Sequence, residues 1–357
     1  MARICGPSFA GVPMTTDAGR VLDALFLPFD QGLLPWPDDD VLFLRARAGV
    51  ALQAGRRGLV CEQSFRPDAL ALEAAGQTVV AVEPDRRYRL VLVLPPRQRD
   101  EARALFARAV AHLAPGGRVV ACMPNIAGAR SGEDDLRAIA GPVGQLSKHK
   151  CRVFWSAPLD APFDADLAAR WAALDRPRAI ADGRFMSRPG LFAWDRIDAA
   201  SRLLAEHLPA TLAGRAADLG AGFGYLSAEL LDRCPGIRAL DLYEAEARAL
   251  ELAKQNLGAY ADRAELGFHW HDVTTGLPAK YDVIVSNPPF HAQGSADRPD
   301  IGRRFITVAA QSLNRGGRLW LVANRHLPYE AALGEGFGEV TTVAQREGFK
   351  IIEAVRA

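Results

Sequence analysis

The stretch Asn287-Pro288-Pro289-Phe290 closes an apolar run, Tyr281-Asp282-Val283-Ile284-Val285-Ser286, where a strand would ordinarily pass into a simple turn. Two prolines make this corner stiff, because each fixes its own φ and bars the residue before it from the helical region. The stiffness serves polar groups. The Asn287 side-chain oxygen and the Pro288 carbonyl are hydrogen-bond acceptors carried on a fixed backbone, and a preorganised acceptor pair at a strand end is a device for orienting a ligand.

Three further constellations lie upstream. Asp218-Leu219-Gly220-Ala221-Gly222-Phe223-Gly224 has the spacing of a strand-to-helix loop whose backbone approaches a ligand closely, with helix amides facing its polar groups. A dinucleotide fingerprint asks for Gly or Ala at position 225; Tyr225 stands there and counts against a nicotinamide cofactor. Glu244, one strand further on, has the spacing at which a carboxylate accepts both hydroxyls of a ribose. Asp241 competes for that role, but the register leaves it inside the strand. In His269-Trp270-His271-Asp272-Val273, strand alternation puts His269, His271 and Val273 on one face and Asp272 on the other, which argues against a metal site. Asp272, with Val273 beside it at the strand end, can instead accept a hydrogen bond from an adenine amino group.

These residues need elements to position them, and from about residue 199 the periodicity alternates between helix and strand. "AASRLLAEHLP" is helical, "RAADLGAGFGYLSAELLDRC" is strand, glycine loop and helix, and "GIRALDLYE" is the next strand. "AEARALELAKQNL" is a helix, while "AELGFHWHDV" and "YDVIVSNPPF" are strands. "RRFITVAAQSL" is helical, "GGRLWLVAN" is a strand, and "VTTVAQREGFKIIEAVRA" is a closing hairpin. The fold class expected is α/β, with a largely parallel sheet, helices on both faces and ligands at the carboxyl ends of the strands.

At 357 residues the chain is long for one domain, and its balance of 49% hydrophobic and 24% charged residues suits folded structure throughout. No apolar run is long enough to span a membrane, and the amino terminus lacks the regions of a signal peptide, so a cytoplasmic location is expected. The five cysteines are scattered without a Cys-x-x-Cys pair, which speaks against a disulfide framework or a structural zinc. A formal charge of +1 decides nothing about nucleic acid, since phosphates need only a local basic face. In "SKHKCR", Lys148, Lys150 and Arg152 alternate on entering a strand, a spacing that suits either a shared face toward phosphates or a solvated charged face.

The first half repeats the second. "YRLVLVLPP" (88–96) aligns with "YDVIVSNPP" (281–289), pairing Tyr88 with Tyr281. "EARALFARAVAHLAPGGRVVACMPN" matches "GRRFITVAAQSLNRGGRLWLVAN", with Gly116-Gly117-Arg118 and Gly316-Gly317-Arg318 in register. Leu94 stands where the second copy has Asn287, Arg97 stands where it has Phe290, and the glycine loop is missing. The organisation expected is a tandem duplication: a degenerate copy over 1–160 that binds no cofactor, a Pro-, Asp- and Ala-rich linker over 161–178, and an active copy over 179–357.

Taken together, D-L-G-A-G-F-G, Glu244, Asp272 and N-P-P-F resemble the ordered motifs of Rossmann-like S-adenosylmethionine-dependent methyltransferases. N-P-P-F is similar to the corner of those that modify an exocyclic or planar amide nitrogen. The resemblance implies S-adenosylmethionine as cofactor, held by Asp218, Gly220, Gly222, Gly224, Glu244, Asp272, Val273 and Asn287. It also implies that Asn287, Pro288 and Pro289 orient an amino group and that Phe290 stacks on an unpaired or flipped base. A degenerate first copy, with "RPGLFAWDRIDAASRLL", "NPPFH" and "VANRHLPY", resembles the ribosomal RNA small subunit methyltransferase C family and its large-subunit relative, methyltransferase G; both make N2-methylguanine in ribosomal RNA. The implied protein is a monomeric enzyme that binds ribosomal RNA or a ribosomal subunit, without metal or membrane, its first copy serving RNA binding or structural support. The closing hairpin is closer to the large-subunit relative. Glu244 departs from the aspartate common in the family. The implied target is the N2 of a guanine in 16S RNA of the small subunit; the same chemistry on 23S RNA of the large subunit, methylation of a protein glutamine or a DNA adenine, or a non-catalytic binding module, are the alternatives.

Overall fold

The computed structural model describes residues 17–52, 55–289 and 299–357. The chain divides into two compact units, one of Met1–Glu62 and Ala71–Ala172, the other of Gln63–Leu70 and Ala173–Ala357.

The first unit runs α1 (Asp17–Asp30), β1 (Val41–Leu44), β2 (Leu59–Glu62), the part of α2 (Arg66–Ala74) from Ala71 onward, β3 (Tyr88–Val93), α3 (Arg99–Ala111) and β4 (Leu113–Pro124). It continues through α4 (Ala129–Ala140), β5 (Val143–Lys148), β6 (Cys151–Ser156) and α5 (Ala165–Ala172). Its six strands lie in the order β2-β1-β3-β4-β6-β5, parallel through β4 and antiparallel beyond. Up to Ala172 the stretch expected to be a linker belongs to this unit: Trp171 of α5 is buried, with the Arg103 guanidinium 5.0 Å from its ring centre.

The second unit opens with a short hairpin, β7 (Arg178–Ile180) and β8 (Phe185–Ser187), followed by α6 (Ala199–His207), β9 (Ala213–Leu219), α7 (Tyr225–Arg233), β10 (Gly236–Glu244) and α8 (Ala247–Asn256). Then come β11 (Glu265–Trp270), β12 (Tyr281–Ser286), α9 (Pro299–Ser312), β13 (Leu313–Asn324), α10 (Glu330–Gly336), β14 (Glu339–Arg346) and β15 (Phe349–Val355). The seven strands order as β11-β10-β9-β12-β13-β15-β14, the first five parallel and the closing hairpin antiparallel. This mixed α/β sheet is the one the alternating periodicity predicts.

Neighbouring residues of one strand feed opposite cores. Val283 and Val285 join the cluster that holds Ala216, Leu240 and Trp320, while Ile284 between them joins Ala217, Leu319 and Leu321. Burial on both faces is why Val283, Ile284 and Val285 of β12 read as a continuous apolar run rather than an alternating one.

The two sheets share their order once edge strand β11 is set aside. They share a local irregularity too. Tyr88 pairs with Leu113 and Leu90 with Arg118, just as Tyr281 pairs with Leu313 and Val283 with Arg318. Gly116 and Gly316 both have φ +76, and a Cβ at Gly117 or Gly317 would come within 2.8 Å of a carbonyl oxygen, that of Ala114 or Asn314. Glycine is required at these turns by conformation and by space.

Candidate active site

In the second unit's sheet, β9 is followed in sequence by β10 on one side, and the chain later returns as β12 on the other. The crevice at the carboxyl ends of β9 and β12 is therefore the switch point at which open α/β sheets bind ligands. The glycine loop leaves β9 there and the Asn-Pro-Pro corner leaves β12. Ser286 Oγ donates to the Leu219 carbonyl at 2.7 Å and ties the two strand ends together. Gly220, Gly222 and Asn287 line one open hollow together with Phe192, Asp198 and Ser201.

Gly220, Gly222 and Gly224 all have positive φ, and Gly224 caps α7 against Ala253 and Leu257 of the α8 layer at 3.4 Å from a notional Cβ. Around Gly222 that position is open. Its amide donates to Glu244 Oε2 at 2.8 Å, and the Glu246 amide donates to Glu244 Oε1 at 2.7 Å. Burial raises the Glu244 carboxyl, and these two amides pull it back. Each of its oxygens keeps a second lone pair for a diol.

Asp218 is wholly buried. Ser227 Oγ donates to its Oδ2 at 2.8 Å, whereas Oδ1 is buried and without a partner. A stranded acceptor of this kind calls for a donor from outside the chain. Burial pushes the Asp218 carboxyl from an ordinary 3.8 up to about 7. Because the folded chain holds this proton to higher pH than the unfolded one, the group's contribution to stability is full below its unfolded pKa and is lost as pH rises through about 7. Asp218→Asn is expected to remove that part of the pH dependence of the melting temperature, which thermal denaturation across buffers measures.

Asp272 caps a short 3-10 turn at Val273–Thr275, accepting from the Thr274 amide at 2.9 Å and its hydroxyl at 2.7 Å through Oδ1 alone. Val273 is buried. At the corner, Pro288 is buried, Pro289 exposed and Asn287 half-buried, with Nδ2 2.9 Å from Asp198 Oδ2 and 2.8 Å from Ser201 Oγ. Phe290 lies outside the described residues.

The histidines are engaged in packing. His269 Nε2 is 2.8 Å from Asp241 Oδ1, its ring is stacked at 4.6 Å on Tyr243, and Arg215 and Tyr281 complete the bonds to Asp241. His271 Nε2 is 2.6 Å from the Gly276 carbonyl. Among the described residues no group of three or more His, Cys, Asp or Glu is placed to hold a metal ion, and no helix is long and apolar enough to cross a membrane.

The basic stripe expected at Lys148, Lys150 and Arg152 does not form. β5 ends at Lys148, His149 and Lys150 make the hairpin turn with φ of 54° and 59°, and β6 begins at Cys151. Lys148 pairs with Cys151 and Ser147 with Arg152, so Lys148 and Arg152 fall on opposite faces. Arg152 is moreover ion-paired to Glu133.

Sequence reasoning missed several residues. Asp198 and Ser201 entered only within a longer stretch, Phe192 had no role, and the segment at 64–66 was overlooked. Phe65 bridges Glu246, the Arg66 amide donates to the Ala245 carbonyl at 2.8 Å, and the Ala247 amide donates to the Ser64 carbonyl at 2.9 Å. Trp270 Nε1 donates to both Ser64 and Ala245 carbonyls, at 2.9 and 2.8 Å, beneath the Arg66 guanidinium. This small strap fixes the turn that follows Glu244.

Residues 182–353 match the methyltransferase small domain family. Ribosomal RNA small subunit methyltransferase C of Shewanella amazonensis is 31% identical over 75% of this chain and 77% of its own length. The protein of that name from Shewanella oneidensis is also 31% identical, over 74% and 76%. Among solved structures, a Thermus thermophilus 16S rRNA N2 G1207 methyltransferase in complex with AdoMet and guanosine superposes with a TM-score of 0.75 at 26% identity, covering 94% of this chain and 92% of that one.

Proposed function

The chain belongs to the ribosomal RNA small subunit methyltransferase C family, and we propose that it transfers a methyl group from S-adenosylmethionine to the exocyclic N2 of a guanine in 16S ribosomal RNA. The observation that carries the reading is that the glycine loop and the Asn-Pro-Pro corner line one hollow at the switch point of the sheet.

The residues present fit the cofactor. Gly222 leaves open space for close approach of a ligand to the backbone, Gly220 and Gly224 give the loop its left-handed turns, Glu244 is poised for the ribose hydroxyls and Asp272 with Val273 for the adenine. Asp218, at the end of β9 just before the glycine loop, has a buried oxygen without a partner. When bound, S-adenosylmethionine supplies an electrophilic methyl group on a positively charged sulfonium.

The chain's own work is on the amino group. Its lone pair is delocalised into the guanine ring, which makes it a poor nucleophile. Asn287 Oδ1 and the Pro288 carbonyl accept its two hydrogens, fixing the direction of the nitrogen, and proximity and orientation supply most of the rate. The methylated nitrogen, strongly acidic while it carries a positive charge, gives its extra proton to water and needs no dedicated base. Phe192, 71% exposed at the mouth of the hollow, offers a flat apolar face for the base, which must leave its stack to enter. Phe192→Ala is expected to raise KM for RNA by about 1–3 kcal/mol in equivalent terms with little change in kcat, measurable from initial rates against RNA concentration.

The first 160 residues are a worn copy of the same domain. The shared strand order and the matched Gly-Gly turns support this, as does Leu94, buried at the position of Asn287. Where the second unit has its glycine loop, the first has Arg45, ion-paired to Glu101. This copy binds no cofactor and serves the RNA or the fold. The protein acts as a cytoplasmic monomer without a metal.

The test is incubation with methyl-labelled S-adenosylmethionine and unmethylated small subunits, large subunits or their deproteinised RNAs, followed by nuclease digestion and mass spectrometry. N2-methylguanine in small-subunit RNA is expected. Label confined to the large subunit would reassign the substrate, and an absence of label in every RNA would overturn the reading.

A further inference from the structure

Asn287 serves as an acceptor only if its carboxamide faces the right way, and its place at a strand end does not decide that. The two ends of a carboxamide are nearly equal in size and opposite in hydrogen-bonding sense. Here one end is committed. Nδ2 has two hydrogens and two acceptors, Asp198 Oδ2 at 2.9 Å and Ser201 Oγ at 2.8 Å. Turning the amide over would set its oxygen against a carboxylate oxygen with no proton between them. With Nδ2 held, Oδ1 is what remains to face the hollow that the three residues line together.

Both acceptors are built into the start of α6. Asp198 is its N-cap, with extended backbone at φ −62° and ψ 132°, and its Oδ2 also accepts from the Ser201 amide at 2.8 Å. One carboxylate oxygen thus serves the helix and the corner at once. Capping alone would be satisfied by Ser, Thr or Asn. The reach to Asn287 asks for a longer side chain, and a carboxylate, which accepts at both oxygens, has no wrong way round.

We propose that Asp198 and Ser201 are positioning residues that hold the Asn287 carboxamide with Oδ1 toward the substrate, so that the site accepts an amino group and refuses a carbonyl oxygen. Guanine carries both, N2 and O6, and only a reversed amide would offer O6 a donor. The inference rests on the methyltransferase reading above.

The test uses the full chain and the double variant Asp198→Ser/Ser201→Ala, which keeps a capping hydroxyl but strips Asn287 of both partners. Parent activity on unmethylated small-subunit RNA is measured first; then kcat, KM, S-adenosylmethionine affinity and melting temperature are compared. The double variant is expected to lose kcat by about 10–100-fold, with cofactor affinity and melting temperature near those of the parent. Asp198→Asn, whose amide oxygen reaches both partners, is expected to recover most of that kcat. A double variant with parental kcat overturns the proposal. So does a loss of kcat that tracks melting temperature and is not recovered by Asp198→Asn, which would assign Asp198 to capping alone. A parent inactive on every RNA overturns the underlying reading and the proposal with it, whereas an active parent beside an active double variant overturns the proposal only.

Discussion

Asn287→Ala is expected to lower methyl transfer by about 10²–10³-fold, equivalent to about 2.7–4 kcal/mol, while S-adenosylmethionine still binds. The separation follows from where the residue sits. Asn287 leaves β12, whereas the glycine loop leaves β9 and Glu244 ends β10, so the side chain can be removed without disturbing the carboxylate and amides assigned to the cofactor. What disappears is one of two acceptors fixing the amino nitrogen, and the Asp198 carboxylate is left facing an empty place. Asn287→Asp should be no milder, although it is nearly the same size, because it sets a second carboxylate against Asp198. Single-turnover methylation and cofactor calorimetry on the same variants check both halves. An alanine variant that turns over at the parental rate would remove Asn287 from the chemistry.

The parts of this site carried by local sequence are legible in the sequence itself. The glycine loop, Glu244 and the corner each announce themselves because the requirement is local: positive φ at three glycines, a carboxylate at a strand end, a φ fixed by proline. The sheet was legible for a related reason, since strands buried on both faces are continuous apolar runs. Long-range contacts were not. Asp198 and Asn287 are 89 residues apart, and "DAAS" reads as a helix cap whether or not a distant amide rests on it. Ser64 and Trp270 are 206 apart and equally silent. The basic stripe failed for a different reason. The hairpin at His149 and Lys150 is made by two residues in the left-handed region with neither glycine nor asparagine to mark it, so a turn was read as continuing strand. Likewise the Pro-, Asp- and Ala-rich composition at 161–178 suggested a linker, but the residues up to Ala172 group with the first unit and Trp171 of α5 is buried.

Gly222→Asp is expected to weaken S-adenosylmethionine binding by at least about a hundredfold, about 2.7 kcal/mol, with the fold retained. The backbone at Gly222 is left-handed, φ +56°, a region that aspartate visits more readily than most residues, so strain alone is a small part of the effect. Space around the notional Cβ is open, which means the new side chain meets no protein and projects into the hollow instead. There its charge stands beside Glu244, a half-buried carboxylate already raised by its surroundings and bonded to the Gly222 amide itself. The introduced carboxylate therefore occupies ligand space and repels the group assigned to the ribose. Gly222→Ala separates the two causes: it carries the left-handed strain, about 1–2 kcal/mol, and neither the charge nor the length, so its loss of affinity should be the smaller. Calorimetry with melting curves on the pair distinguishes a blocked site from a damaged fold. Parental affinity in the aspartate variant would move the cofactor out of the switch-point crevice, and with it the whole assignment of the acceptors that face it.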